Sequence, residues 1–301
     1  WFVDRTTVGV AGIQAVSGAV EQLAGSATGG VRFFVAANQE GGITQALHGP
    51  GFSEIPSALA QGSLAPGTLQ ADATTWGQQL KAAGVNLVFG PVMDTVPPGT
   101  DAQNQPIGAL QREYGHDPVT VASHGVAVLA GLHAAGAATT IKHFPGLGRV
   151  QGNTDFTSAT DSATTSTDAS LEPFTQGLAA GTDFVMVALA TYTQIDKAHL
   201  AVFSPIVMRD LLRTRLGFPG PIMSDDLGAT AAVASIPAGT RAIDFLKAGG
   251  DMIISKTTPA ALIMVQAIRA QEATDPAFTS RVDDAARRVL RVKEAYHLLP
   301  C

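Results

Sequence analysis

Short apolar runs rich in β-branched residues alternate with longer stretches of helical period along the whole chain. Seven runs predict strands: Thr7–Ala11, Val31–Ala37, Asn86–Gly90, Ala138–Lys142, Asp183–Ala188, Pro221–Asp225 and Asp251–Ser255. Between them, Thr68–Ala83, Pro118–Ala135, Leu171–Ala180, Pro205–Leu216, Thr240–Ala248 and Pro259–Ala270 predict helices, followed by a last one over Val282–Tyr296. Several helical stretches close on Ala-Gly just before a strand, at Gly84, Gly136, Gly181 and Gly249. Glycine most readily takes the left-handed conformation that ends a helix. Pro118 and Pro205 sit at first helical turns, where a missing N–H costs little.

A repeated strand–helix–glycine step builds parallel sheets. Two architectures accommodate it: a doubly wound sheet and a (β/α)8 barrel. The strand ends favour the barrel, because polar groups follow strand after strand: Asn38-Gln39-Glu40, Asp94, Lys142-His143 and Ser224-Asp225-Asp226. A doubly wound sheet concentrates its ligands at one switch point, whereas a barrel gathers them from many strand ends onto one face. The expectation is an α/β protein with a single barrel domain over residues 1–301, its first strand upstream of residue 1. The Thr/Ser-rich run Thr154–Ser170 follows a strand and precedes Leu171-Glu172-Pro173-Phe174, so it reads as a long βα loop.

With 301 residues, 46% of them hydrophobic, the chain can bury a large core. A net charge of −6 argues against a nucleic-acid surface. No run approaches the eighteen apolar residues of a membrane span. The sole cysteine, Cys301, permits no internal disulfide.

The candidate chemistry lies at the strand ends. Asp225 and Asp226 follow a buried strand; one of them could cap a helix, and a carboxylate there could also be a nucleophile or general base. Lys142 and His143, followed by Pro-Gly, read as hydrogen-bond donors to a polar ligand, against the plainer readings of a solvent-reaching lysine and a structural histidine. Gly41 and Gly42, after Gln39-Glu40, form a turn or let backbone approach a ligand. Arg112 could clamp a hydroxyl or carboxylate, or pair with Glu113 or Asp117. The seven histidines show no metal-ligand spacing, and no phosphate loop or GxSxG elbow is present, so no cofactor and no metal is expected.

Taken together the motifs resemble family 3 glycoside hydrolases, in their single-domain β-N-acetylglucosaminidase branch. The matching stretches are NQEGG (Asn38–Gly42), GPVMD (Gly90–Asp94), IGALQREYGHDP (Ile107–Pro118), KHFPG (Lys142–Gly146), LEPF (Leu171–Phe174) and SDDL (Ser224–Leu227). They stand in the family's order across nearly the whole chain. The resemblance implies a (β/α)8 barrel and a retaining hydrolase in which Asp225 is the nucleophile. It makes Lys142, His143 and Arg112 sugar-binding residues, with Asn38 and Asp94 beside them as substrate-binding candidates.

The departures concern proton chemistry and sugar contacts. The family's acid/base is an Asp-x-His pair on the loop after KHFPG; here Asn153 stands at the Asp, Asp155 at the His, and Leu147 at another usual His. Asn38 replaces an Asp, and Ala46 replaces the Arg eight positions on. Asp155 could serve as the acid/base if Phe144, Phe156 and Leu147 supply apolar surroundings that raise its pKa. Alternatively the chain is a non-catalytic glycan-binding or cell-wall protein, or a β-glucosidase-type hydrolase. The expected partner is a GlcNAc-containing carbohydrate from peptidoglycan fragments, bound by a monomer with no nucleic acid. Composition and the lack of an initiator Met point to an exported or lipid-anchored form, with a cytoplasmic one as the alternative; membrane attachment would come only through an N-terminal lipid anchor upstream of Trp1.

Overall fold

A computed structural model describes residues 1–300; Cys301 lies outside the described residues. Among the described residues nine strands form, in chain order β1 Ala36–Ala37, β2 Leu87–Val88, β3 Ala138–Phe144, β4 Ala159–Asp161, β5 Phe184–Val187, β6 Ala190–Tyr192, β7 Asp196–Leu200, β8 Ile222–Asp226 and β9 Met252–Ile254. Six of them make one parallel sheet in the order β1-β2-β3-β5-β8-β9, with helices in the connections. Phe2 adds a seventh parallel position, donating its N–H to Ala36 O and bridging to Ala37. The sheet curls into the wall of a (β/α)8 barrel, with side chains of β3, β5 and β8 buried within it.

Six of the seven expected strands and all seven expected helices are present, with shifted ends. The exception is Thr7–Ala11, which enters a helix over Gly9–Ala27. Its β-branched start imitates a strand, but Ile13, Ser17 and Ala24 are buried along one helical face while Val16, Val20 and Leu23 stay exposed. Among the described residues the first parallel position is Phe2. Among the described residues no pairing joins Phe2 to β9. An apolar groove of about 870 Å³ lies there, lined by Trp1, Phe2, Phe34, Met252, Met264 and Leu290.

The helix-closing glycines behave as expected: Gly84, Gly136, Gly181 and Gly249 all have positive φ, from 75° to 119°. Asp117 caps the helix Pro118–Ala134 by accepting the Thr120 N–H at 2.9 Å. Pro205–Leu216 becomes a π-type helix over Ile206–Arg215. The Thr/Ser-rich run is not without structure. It carries β4, which pairs with β6, and β6 pairs in turn with β7 in a three-stranded side sheet. No helix among the described residues is long and apolar enough to cross a membrane.

Acids at the strand starts hold the barrel together. Asp183, before β5, accepts from Thr139 N at 2.8 Å, His133 Nε2 at 2.9 Å and the Tyr296 hydroxyl at 2.9 Å. Asp251, before β9, accepts from Ile222 N and faces Arg213, Arg281 and Arg288 at 2.7, 2.7 and 3.0 Å. Those three arginines come from the π-type helix and the last helix, so one buried carboxylate fastens two helices to two strands. Replacing Asp251 by Ala strands three cations around a cavity. We expect Asp251→Ala to lower the unfolding free energy by roughly 3–5 kcal/mol. Urea denaturation measures this, and a loss below about 1 kcal/mol would show that the cluster is not structurally important.

Candidate active site

The carboxyl ends of β1, β3 and β8 open onto a cavity of about 330 Å³ lined by polar groups. Asn38, Arg112, Lys142, His143, Asp155 and Asp225 all face it. The structure thus gathers six of the seven sequence-predicted site residues at one place, from positions spread over nearly two hundred residues.

At the end of β1 the chain turns through Gln39-Glu40-Gly41. Gly41 has φ of +104°, and a Cβ there would lie 2.1 Å from Pro56 O, so the turn admits only glycine. Gln39 is consumed by the backbone, pairing with both N–H and C=O of Leu47. Glu40 is buried and carries a double partnership. Arg112 grips it with two parallel hydrogen bonds, Nε to Oε2 at 2.8 Å and Nη2 to Oε1 at 2.9 Å. Lys142 Nζ approaches Oε1 at 2.5 Å. Burial would raise the Glu40 carboxyl, but the two cations overcome it and hold the group well below the usual carboxylate range. Burial also pulls Lys142 below its ordinary value, against the opposing pull of Glu40. Arg112 therefore pairs with neither Glu113 nor Asp117, the two local partners its sequence neighbourhood offered. Its third anchor is the Pro106 carbonyl at 2.8 Å.

His143 is fixed from behind. Its Nδ1 is 2.7 Å from Asp94 Oδ2, and its backbone N–H donates to Asp94 Oδ1 at 3.2 Å. With Nδ1–H donated to a carboxylate, Nε2 is the nitrogen left for the cavity. Asp94 also accepts the Leu147 N–H at 2.7 Å and is fully buried. Its expected place among the substrate-binding residues is corrected here: it stands behind His143 and orients it, out of reach of a ligand. The loop beyond is pinned by Asn104, whose Nδ2 donates to Leu147 O and Val150 O, both at 2.7 Å. A Cβ on Gly148 would fall 1.9 Å from Thr95 O, so this loop packs directly on the strand-end segment that carries Asp94.

The two consecutive acids divide their work. Asp226 accepts N–H groups from Gly228 at 2.8 Å, Ala229 at 3.1 Å and Lys256 at 2.7 Å, which shapes the turn after β8 and ties it to β9. The expected helix-capping role is corrected for both acids: no helix begins directly after β8, and Asp226 holds a turn instead. Among the described residues Asp225 accepts only the N–H of Asp226, at 2.7 Å, and it presents its carboxylate to the cavity.

Asp155 arrives on the long loop after β3. The loop closes onto the barrel through two backbone bonds, Ala231 N–H to Asp155 O and Ala232 N–H to Thr154 O, both 3.2 Å. Asn153 accepts the Asp155 N–H at 3.0 Å, so its side chain sets the turn that aims Asp155. Desolvation first, and the charge of Asp225 second, raise the Asp155 carboxyl above its ordinary value. The source of desolvation differs from expectation. Phe144 is buried edge-on against Phe174 in the core, and Phe156 is 80% exposed. Of the three apolar residues named from sequence, Leu147 alone is both buried and in the cavity wall.

Asn38 is joined to Ala46 through the backbone, Ala46 N–H to Asn38 O at 2.9 Å. The two positions are thus immediate neighbours across a backbone hydrogen bond. Sequence reading missed Glu40 as the hub of the cation cluster; its signal was an acid at a strand end directly before a glycine pair. It also missed Trp1 and Phe89, which line the cavity with ring centroids 5.9 Å apart.

Comparison with known proteins places this geometry. The profile of the glycosyl hydrolase family 3 N terminal domain matches residues 8–292. A solved beta-N-acetylhexosaminidase from Beutenbergia cavernae is 49% identical, covers 96% of this chain and 87% of its own, and superposes with a TM-score of 0.92. A family 3 beta-N-acetylglucosaminidase from a Paenibacillus species is 26% identical with a TM-score of 0.87, over 96% of this chain and 55% of its own. A beta-hexosaminidase from Stenotrophomonas maltophilia is 34% identical over 229 residues, 73% of this chain and 66% of that relative, so the chain spans just under two thirds of the relative's length. On the profile match and these likenesses, the chain belongs to glycosyl hydrolase family 3 and forms its N-terminal barrel domain.

Proposed function

We propose that the chain hydrolyses terminal β-linked N-acetylglucosamine with retention of configuration, through a covalent glycosyl intermediate on Asp225. The observation that carries this reading is the division between the two acids of β8. Asp226 is saturated by three backbone N–H groups, and Asp225 stands free in the same cavity as Asp155, whose carboxyl is raised. A retaining glycosidase needs one ionised carboxylate to attack the anomeric carbon and one protonated group to release the leaving oxygen. Neighbouring carboxyls whose environments push their proton affinities apart supply such a pair.

Asp225 attacks the anomeric carbon while Asp155 protonates the departing oxygen. Asp155, then ionised, takes a proton from a water whose oxygen attacks the anomeric carbon; the bond from that carbon to Asp225 breaks, releasing the sugar and restoring both carboxyl groups. Lys142, Arg112 and His143 Nε2 line the cavity where sugar hydroxyls would sit, held in place by Glu40 and Asp94. The names of the relatives, beta-hexosaminidase and beta-N-acetylhexosaminidase, support an N-acetylhexosamine as the sugar. The natural substrate we propose is a peptidoglycan fragment with a terminal GlcNAc. We place the protein outside the cytoplasm, on its composition alone.

Asp225→Asn should cut kcat by roughly 10⁴-fold or more. The assay uses an aryl β-N-acetylglucosaminide and a muropeptide, with NMR of the first-formed anomer. Residual activity within about tenfold of wild type would remove Asp225 as the nucleophile.

The acid assignment predicts a pH dependence with a definite sign. Asp155 must be protonated to act first, so kcat/KM falls as pH rises through its raised pKa, which gives the alkaline limb of the profile. Asp155→Asn should lose that limb and about 10²–10⁴-fold of the rate on the muropeptide, with a smaller loss on the aryl substrate. A variant that keeps wild-type rate and profile on the muropeptide would place the acid elsewhere. A folded wild-type protein inactive on both substrates that still binds GlcNAc oligomers would establish the glycan-binding reading instead.

A further inference from the structure

One buried charge takes no part in the site described above. Glu113 follows Arg112 directly, yet the guanidinium turns away to Glu40 and Pro106 O, leaving Glu113 without that cation. The Glu113 side chain is fully buried, and neither carboxylate oxygen has a hydrogen-bond partner among the described residues. Burying a carboxylate with no partner is costly enough that a counter-charge or a proton is needed there.

Two further ligand-type side chains point into the same spot. Asp101 comes from the loop after the Asp94 segment, and His116 from three residues beyond Glu113. One potential ligand atom from each of Asp101, Glu113 and His116 lies within 4.8 Å of the others. Asp101 Oδ1 is itself buried without a hydrogen-bond partner. His116 Nδ1 sits 3.5 Å from that oxygen and 3.3 Å from the Val96 carbonyl. Asp101 and His116 are each about one-third exposed as side chains, so a hydrated ion can enter from solvent.

We propose that Asp101, Glu113 and His116 form a binding site for a divalent transition-metal ion of the zinc type, with the Val96 carbonyl at its edge. The donor set decides the class: two carboxylates match the double positive charge, and an imidazole selects zinc-like ions over Mg²⁺ and Ca²⁺, which prefer all-oxygen shells. The site is apart from the sugar cavity, which none of the three ligands lines. Its effect there is mechanical. An ion would tie the segment 112–116 to the loops at Val96 and Asp101, and Arg112 at the head of that segment grips Glu40. Burial, with the charge of Asp101 adding to it, pushes the Glu113 carboxyl up to about 7, so a proton is the competing occupant.

The test is calorimetric titration of chelator-stripped full-length protein with ZnCl₂ at neutral pH, alongside Co²⁺ absorption spectra and a thermal melt. The expected result is one ion per chain, a raised Tm, and visible cobalt bands that report an imidazole ligand. Losing an outer hydrogen-bond partner of a metal ligand alone weakens binding 10–100-fold, so His116→Ala and Glu113→Gln should each cost at least roughly 10-fold in affinity. His116→Ala removes a side chain about one-third exposed and tests the site even if Glu113→Gln fails to fold. Asp225→Asn and Asp155→Asn should leave zinc binding unchanged, which separates this site from the catalytic carboxylates. Absence of stoichiometric binding, or binding indifferent to His116→Ala, overturns the proposal and assigns the pair Glu113–Asp101 to a shared proton.

Discussion

The site depends first on a buried anion with two cations. Glu40 sits below the cavity floor and holds Arg112 and Lys142 in fixed positions, at 2.8–2.9 Å and 2.5 Å. Three buried charges are tolerable only as a set, because removing one leaves an uncompensated charge in a poor solvent for it. This constraint reaches outward. The turn that delivers Glu40 needs glycine at position 41, the loop that delivers Arg112 is held by Pro106, and β3 must end where Lys142 meets the anion. Donors frozen by such a set lose little entropy when they meet a sugar hydroxyl.

The barrel divides its acids by height. At the strand starts, Asp183 and Asp251 are spent on backbone N–H groups, arginines and a tyrosine, and they serve stability. At the strand ends, Asp94 and Asp226 shape the frame, and Asp225 is left with a single backbone bond. Chemistry concentrates where a carboxylate is not needed for structure. The long loop after β3 then brings Asp155 toward Asp225, and their mutual repulsion is part of what raises Asp155.

Much of the fold was legible along the chain. Strand–helix alternation, glycines closing helices and prolines opening them are local preferences, and the structure keeps them almost everywhere. Thr7–Ala11 misread because a short β-branched run cannot be told from a helix start by local pattern; the helix is chosen by Ile13, Ser17 and Ala24 facing the core. Polar residues at strand ends pointed to one face because parallel strands in a barrel all end on the same side. That rule brought Asn38, Lys142, His143 and Asp225 together from sequence alone.

What the rule could not separate is which polar group looks inward to the ligand and which is consumed by the frame. Asp94 and Asp225 both stand at the carboxyl end of a strand, yet one is sealed behind His143 and the other faces the cavity. Arg112 had two acids close behind it in sequence, Glu113 and Asp117, and chose Glu40, seventy-two residues away. The expected apolar shell of Asp155 failed for Phe144 and Phe156, because side-chain direction at a loop is set by packing and not by proximity in sequence. The same holds for Asp101, Glu113 and His116, whose spacing carries no motif. Sequence by itself determined the βα order, the family and the chemical types at the strand ends, because these follow from local periodicity and residue identity. Only the tertiary structure decided partners, burial and therefore protonation, because those depend on which distant charges and backbone groups each side chain meets.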